Sequence, residues 1–370
     1  MKTKIENFNQ EKTPLIKREY GGEQPYIPLG PFKMRLPIIH HEWQWTECLA
    51  AMFLGVACLG AGVGVTMNVF GIENFYIALT FGVLNGACYY LPALLGDPVV
   101  PGWITPALPL TINYLSAYAI GPERIHAMIA LQMLVAFLFL VMGTTGIGRK
   151  LVQAIPNSIK AGIVIGSGIS AGINVLNARI PVAPYTVVVC IIIAYIFLFS
   201  KAFLQLAERN SFWKIIRNQG IVPAQLFAII LAPIIFKEIP SPKIEWGLTP
   251  LNFSYVLEHY TIFGLGMPSI KIFIAAIPMA FTAYIIAFSD FILAKEIVED
   301  ATANREDEKV EFDPGRSNLV SALRNAIMSV FAPWVPLCGP LWASGLLTIT
   351  ERYKRGYSTL RTYWGGVGTF

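Results

Sequence analysis

The chain has 370 residues, 55% of them hydrophobic and only 14% charged, with a mean hydropathy of +0.55. A soluble domain carries about 25% charge, so this composition leaves too little polar surface to coat a water-soluble globule. It excludes a disordered chain, a coiled coil and a soluble enzyme. The net charge of +5 comes from 28 Lys+Arg against 23 Asp+Glu, which lie in loops rather than on one basic face. That distribution argues against a nucleic-acid partner.

In chain order, residues 1–46 form a polar leader bearing Lys2, Lys4, Lys12, Lys17, Arg18, Lys33 and Arg35. It ends in PIIHHEWQWTE, where Trp43 and Trp45 suit an interfacial aromatic anchor. Apolar blocks follow at 47–69, 74–95, 99–119, 126–147, 160–178, 184–205, 219–237, 270–293, 318–334 and 337–350. Most are long enough to cross the hydrocarbon core of a bilayer as a helix. The expected class is therefore an all-α polytopic membrane protein with about ten crossings. Basic residues follow the even-numbered blocks (Arg149 and Lys150, Lys201 and Arg209, Lys295 and Arg305, Arg352 and Lys354), which places the N-terminus on the cytoplasmic side. The location expected is a bacterial inner membrane or a plasma membrane.

Two blocks cannot be unbroken helices. The third opens DPVVPGWITPALPLTI, with Pro98, Pro101, Pro106 and Pro109, and the tenth opens APWVPLCGPLWASGLLTIT, with Pro333, Pro336 and Pro340. Proline lacks the backbone donor and clashes with the preceding turn. Irregular backbone is tolerated at membrane depth only where protein or a water-filled cavity surrounds it. A short extended piece followed by a half-helix suits both blocks. Such an interrupted pair at corresponding positions in two halves points to an inverted repeat with a substrate site between its broken helices.

Asp290 is the one carboxylate well inside an apolar block, flanked by Thr282, Tyr284 and Ser289. An intramembrane ionisable group is by default functional, here as an ion-coupling site; the alternative is a partner for Lys295. Asn68 and Asn85 suit hydrogen bonds across helices. Gly60, Gly62 and Gly64 in LGAGVGV lack the following Lys-Ser/Thr of a phosphate loop, so close helix packing is expected. Gly162, Gly166, Gly168 and Gly172 suit the same role in the fifth block. His40-His41-Glu42 is not an HExxH zinc face, and the five cysteines lack metal-ligand spacing. No metal, cofactor or enzymatic activity is expected.

Three stretches carry a resemblance: GDPVVPGWITPALPL (96–110), IPMAFTAYIIAFSDFILAKEIVED (277–300) and DPGRSNLVSALRNAIMSVFAPWVPLCGPLWASGLLTITERYKRGYST (313–359). In order and spacing they resemble the superfamily that joins nucleobase/ascorbate transporters, such as uracil permease, with the sulfate permease (SulP) anion transporters. The resemblance implies fourteen segments in two inverted repeats of seven. It divides this chain into the leader 1–46, a first core half 47–148 (segments 1–4), part of a gate domain 149–262 (segments 5–7), a second core half 263–355 (segments 8–10) and the start of segment 11 at 356–370. The remaining segments would lie beyond TYWGGVGTF, so a fragment of a longer protein is expected. It further implies a substrate between the starts of segments 3 and 10, at Trp103, Ile104, Thr105 and Ala107 facing Cys338, Gly339, Leu341, Trp342, Ala343 and Ser344, with Ser289 contributed by segment 8.

Nucleobase transporters place acidic residues on segments 8 and 10. Here Ser289, with Asp290 beside it, and Trp342 stand at about those positions. Loss of those carboxylates between helix N-termini, whose free N–H groups carry partial positive charge, tilts the site toward anions. Anionic and nucleobase-like solutes both remain open. The expected function is secondary active transport of such a solute, coupled to protons or sodium, by an elevator-like movement. The alternatives are an anion-selective channel on the same fold and a non-transporting scaffold. The expected partners are the small-molecule substrate, the co-transported ion, the lipid bilayer and a second copy in a homodimer.

Overall fold

A computed structural model describes residues 15–370 except 17, 155, 157, 159–160, 163–164, 167–168, 170–171, 174, 219–221, 241–245 and 304. Gly168 and much of the fifth apolar block fall outside the described residues. The chain is mostly helical. Four helical stretches are long and apolar enough to cross a membrane: Trp45–Phe70 (α1), Phe75–Leu95 (whose first part, Phe75–Ala87, is α2), Pro122–Thr144 (α4) and Ile270–Thr302 (α7). A fifth span results if Pro184–Phe199 (α5) and Lys201–Arg209 (α6), bent by 59° at Ser200, count as one. This is a membrane protein, and the four or five spans among the described residues compare with ten apolar blocks in the sequence.

The difference has identifiable causes. The third block gives the short strand Gly102–Trp103 (β3) and then the nine-residue helix Leu108–Ser116 (α3). The tenth gives Cys338–Gly339 (β4) and then Ala343–Lys354 (α9). The ninth folds as Pro314–Phe331 (α8), a buried helix whose inward side chains include Ser317, Asn318, Ser321, Arg324, Asn325 and Ser329. A helix with so many polar groups needs protein around it rather than lipid. It is clasped by α4, which also packs along α7.

Exposed and buried sides separate cleanly on α7. Ile270, Ile274, Ile277, Phe281 and Ile285 recur at helical spacing and are exposed. Ala276, Ala280, Ala283, Ala287 and Ala294 form the opposite, buried stripe. Small side chains there allow close approach to α4, the usual way helices associate when lipid supplies no hydrophobic drive.

The leader is folded. Ile27–Leu29 (β1) and Phe32–Met34 (β2) form a hairpin that brings Arg35 into the interior, 2.9 Å from Glu23 and 3.9 Å over the Trp364 ring. Arg18 pairs with Asp307 at 2.7 Å, and Arg305 grips the same carboxylate at 2.5 Å. Glu47, at the start of α1, pairs with Arg352 of α9. Asp97 is buried just before β3. Short helix Tyr363–Thr369 (α10) closes this layer, with the Tyr363 N–H donating to Glu308 at 2.7 Å and its hydroxyl to the Pro98 carbonyl at 2.9 Å.

His41 lies inside this layer rather than at an interface. Its ring fills the space where a side chain at Gly368 would sit, and Nε2 is 3.4 Å from Tyr90 Oη. Burial, with the charges of His40 and Arg35 adding to it, pushes His41 down from 6.5 to about 4. A folded-state value below the unfolded one means that the unfolded chain takes up the proton first. The contribution is full above pH 6.5 and is lost as pH falls toward 4, by about 3 kcal/mol in all. The thermal midpoint should therefore drop across that window in the native chain and drop less in His41→Asn, measured by thermal unfolding in detergent at stepped pH.

Candidate functional site

β3 and β4 pair antiparallel, Gly102 opposite Gly339 and Trp103 opposite Cys338. These are the starts of the two proline-rich blocks. Hydrogen bonds extend the crossing on both sides: the Trp342 N–H donates to Val100 O at 2.7 Å and the Ile104 N–H to Leu337 O at 3.4 Å. Leu337 has φ of 55°, the left-handed region that a leucine rarely adopts. Its turn carries the chain from Trp334 into β4.

Two-residue strands have little ladder of their own, and side chains from α4 and α8 complete it. Asn325 accepts from the Cys338 N–H at 3.0 Å and donates to the Cys338 carbonyl at 2.8 Å, acting as a third strand. Gln132 of α4 accepts from the Trp334 N–H at 2.8 Å and donates to Asn325 Oδ1 at 3.3 Å. Arg324 spans both strands, donating to Gly339 O at 2.7 Å and Gly102 O at 3.3 Å. Its guanidinium lies 5.1 Å from the centre of the Tyr89 ring. Otherwise unsatisfied backbone groups thus find partners, as burial requires.

Beside the crossing is a cavity of about 180 Å³ lined by Ala51, Gly55, Cys58 and Leu59 of α1, by Asn85 and Gly86 of α2, and by Tyr89, Trp103, Trp342 and Phe370. The aromatic walls brace one another: Tyr89 meets Trp342 edge-on at 6.4 Å, Trp342 meets Phe370 at 5.8 Å, and Trp103 meets Trp334 at 5.6 Å. Gly62 lets α1 close on this group, since a Cβ there would strike the Trp334 and Trp103 rings. The main polar wall is Asn85, which accepts from Trp103 Nε1 at 3.2 Å and has its amide nitrogen 3.5 Å from Cys338 Sγ. Flat apolar walls with one amide suit a small planar solute.

Of the residues expected at the site, Trp103 and Trp342 line the cavity. Ile104, Ala107, Cys338, Gly339 and Leu341 are buried in the crossing behind it. Thr105 and Ser344 are exposed and Ala343 is half-buried, all outside the lining. Ser289 turns its hydroxyl back to Ile286 O at 2.9 Å, and neither it nor Asp290 lines the cavity. Asp290 is half-buried on α7, with no hydrogen bond or ion pair to a described residue. Lys295, the alternative partner, pairs with Glu299 at 3.6 Å instead. Five positions separate Asp290 from Lys295, which puts them on different helix faces.

Sequence reasoning passed over Tyr89, Gln132, Arg324 and Asn325, and took Asn85 as a helix–helix contact. One signal was present: Arg324 is a cation inside an apolar block, the feature that singled out Asp290. Among the described residues, no cluster of His, Cys, Asp and Glu could hold a metal ion. No protein-family model and no curated protein matches the sequence.

Proposed function

We propose that the chain is a secondary active transporter that moves a small anionic or nucleobase-like solute, coupled to protons or sodium, through an inverted-repeat fold like that of the nucleobase/ascorbate and SulP superfamily. The observation that carries this reading is the pairing of β3 with β4 beside the Trp103–Trp342 cavity. Two segments far apart in sequence each open with extended backbone, continue as a helix and meet side by side. In this reading each is a broken helix, and residues 47–148 and 263–355 form the moving core. The gate is formed in part by 149–262, and the leader faces the cytoplasm.

Backbone N–H groups at the starts of α3 and α9 add partial positive charge near the crossing. Asp290, without a described partner on a membrane-spanning helix, is the coupling residue. The test is uptake into proteoliposomes loaded with this chain, screened against nucleobases, dicarboxylates and inorganic oxyanions with and without imposed proton or sodium gradients. Saturable, gradient-dependent uptake is expected. Conductance that neither saturates nor follows those gradients would replace the transporter by an anion-selective pore, and no flux of any solute would end the reading.

A further inference from the structure

Arg324 presents an unbalanced account of charge. The residue is fully buried, its two terminal nitrogens are held by Gly339 O and Gly102 O, and Nε has no acceptor. No carboxylate among the described residues lies within ion-pair distance of it, although Arg18, Arg35, Arg305 and Arg352 each have one. Backbone carbonyls solvate a guanidinium but do not neutralise it. Asp97, buried just before β3, feels its charge only from beyond ion-pair range, and a buried charge with no carboxylate in contact is costly. The structure would do as well with a neutral donor at this place if holding the strands were its whole task.

The location gives the charge a second task. Arg324 sits one side-chain layer behind the cavity, against the Tyr89 ring at 5.1 Å, and it grips the carbonyl of Gly102, next to Trp103. Tyr89 and Trp103 are both cavity walls. No acidic side chain is among the lining residues to cancel its field. The space of about 180 Å³ accepts one small aromatic ring with a substituent, and Trp103, Trp342, Tyr89 and Phe370 offer it faces and edges.

We propose that Arg324 is a specificity-determining residue and that the cavity selects a planar aromatic monoanion, such as a ring carboxylate, over its neutral isostere. This rests on the transport reading above and narrows its solute. Arg324 acts through Tyr89 and the strand pair without touching the solute. In a low-dielectric interior a charge at that remove separates an anion from a neutral ring of equal shape by about tenfold or more.

The probe pair is nicotinate and nicotinamide, which share a ring and differ by the charge of one substituent. Binding to the purified chain in detergent is measured by isothermal titration calorimetry for the native chain, Arg324→Lys and Arg324→Gln. The native chain should prefer nicotinate by about tenfold or more, Arg324→Lys should keep a preference in the same direction, and Arg324→Gln should bind the two alike. Equal binding by the native chain overturns the inference whether or not a variant folds, as does a preference that survives in Arg324→Gln. If Arg324→Gln fails to fold, Arg324→Lys decides, and loss of the preference there overturns it. A chain that takes up an oxyanion or dicarboxylate in the liposome screen but binds neither ring also overturns it and leaves the transport reading standing. A chain that moves no solute there fails the earlier reading instead.

Discussion

Gly102→Ala is expected to yield little folded protein, with the thermal midpoint of what remains sharply lowered. The strands cross so closely that a Cβ on Gly102 would run into the carbonyl of Leu341, and one on Gly339 would lie 2.7 Å from the Trp103 carbonyl carbon and oxygen. In each case the obstacle is backbone, which cannot rotate away as a side-chain tip would. Relief requires the strands to part. That would break the Asn325 clasp on Cys338 and the Arg324 bridge together and leave several buried backbone groups unpaired. The loss should exceed about 3 kcal/mol, the upper end for ordinary overpacking. Gly60→Ala serves as the control, because a Cβ there meets nothing within 4 Å and alanine is the better helix former. Size-exclusion yield and thermal unfolding in detergent measure both. A Gly102→Ala variant as stable as Gly60→Ala would mean that the crossing is looser than described.

Asp290→Asn should reduce gradient-driven uptake by at least about tenfold while leaving folding and solute exchange largely intact. From Ile272 to Ala294, Asp290 is the one charged residue of α7. No hydrogen bond or ion pair to a described residue reaches it, and Lys295 is engaged with Glu299, so its removal breaks no link between the described helices. A carboxylate on a membrane-spanning helix with no partner among the described residues is costly to keep ionised, and binding a proton or sodium ion relieves that cost. Asparagine has nearly the same shape and cannot take up the ion's charge. Coupled accumulation and uncoupled counterflow should therefore separate in this variant. Accumulation that keeps its dependence on pH and sodium would assign Asp290 a structural role.

What was legible in the sequence follows the range of the forces involved. Pro98, Pro101, Pro333 and Pro336 act on their own backbone, so non-helical chain around 102–103 and 338–339 could be read directly, whereas Trp103 and Trp342 followed from the resemblance. The apolar runs of α1, α4 and α7 are equally local signals. Asn325, Gln132 and Arg324 were not legible as a set, because a polar side chain does not announce its partner. Gln132 meets Asn325 across 193 positions and Arg324 meets Gly102 across 222. The ninth block passed for a span since its apolar residues outweigh Arg324 in a hydropathy average, although α8 turns its polar groups to protein. The fold of the leader was not legible either: in sequence it is a polar segment with an aromatic anchor, and Arg18 and Arg35 look like surface charges until Asp307, Glu23 and Trp364 are placed beside them.

That leader also sets a timetable for synthesis. Arg18 and its acceptor Asp307 are made 289 positions apart. At roughly 5–20 residues per second, about 15–60 s pass on the ribosome between the two. Throughout that interval the hairpin has only partners already made, such as Glu23 for Lys33 at 2.8 Å and the Leu94 carbonyl for the Arg35 N–H at 2.8 Å. Arg18 finds its carboxylate only when the segment after α7 has been made. The Arg18–Asp307 pair thus closes late, after the Arg35–Glu23 pair of the hairpin. A polypeptide stalled before residue 307 leaves its leader open to the proteases that survey nascent membrane proteins.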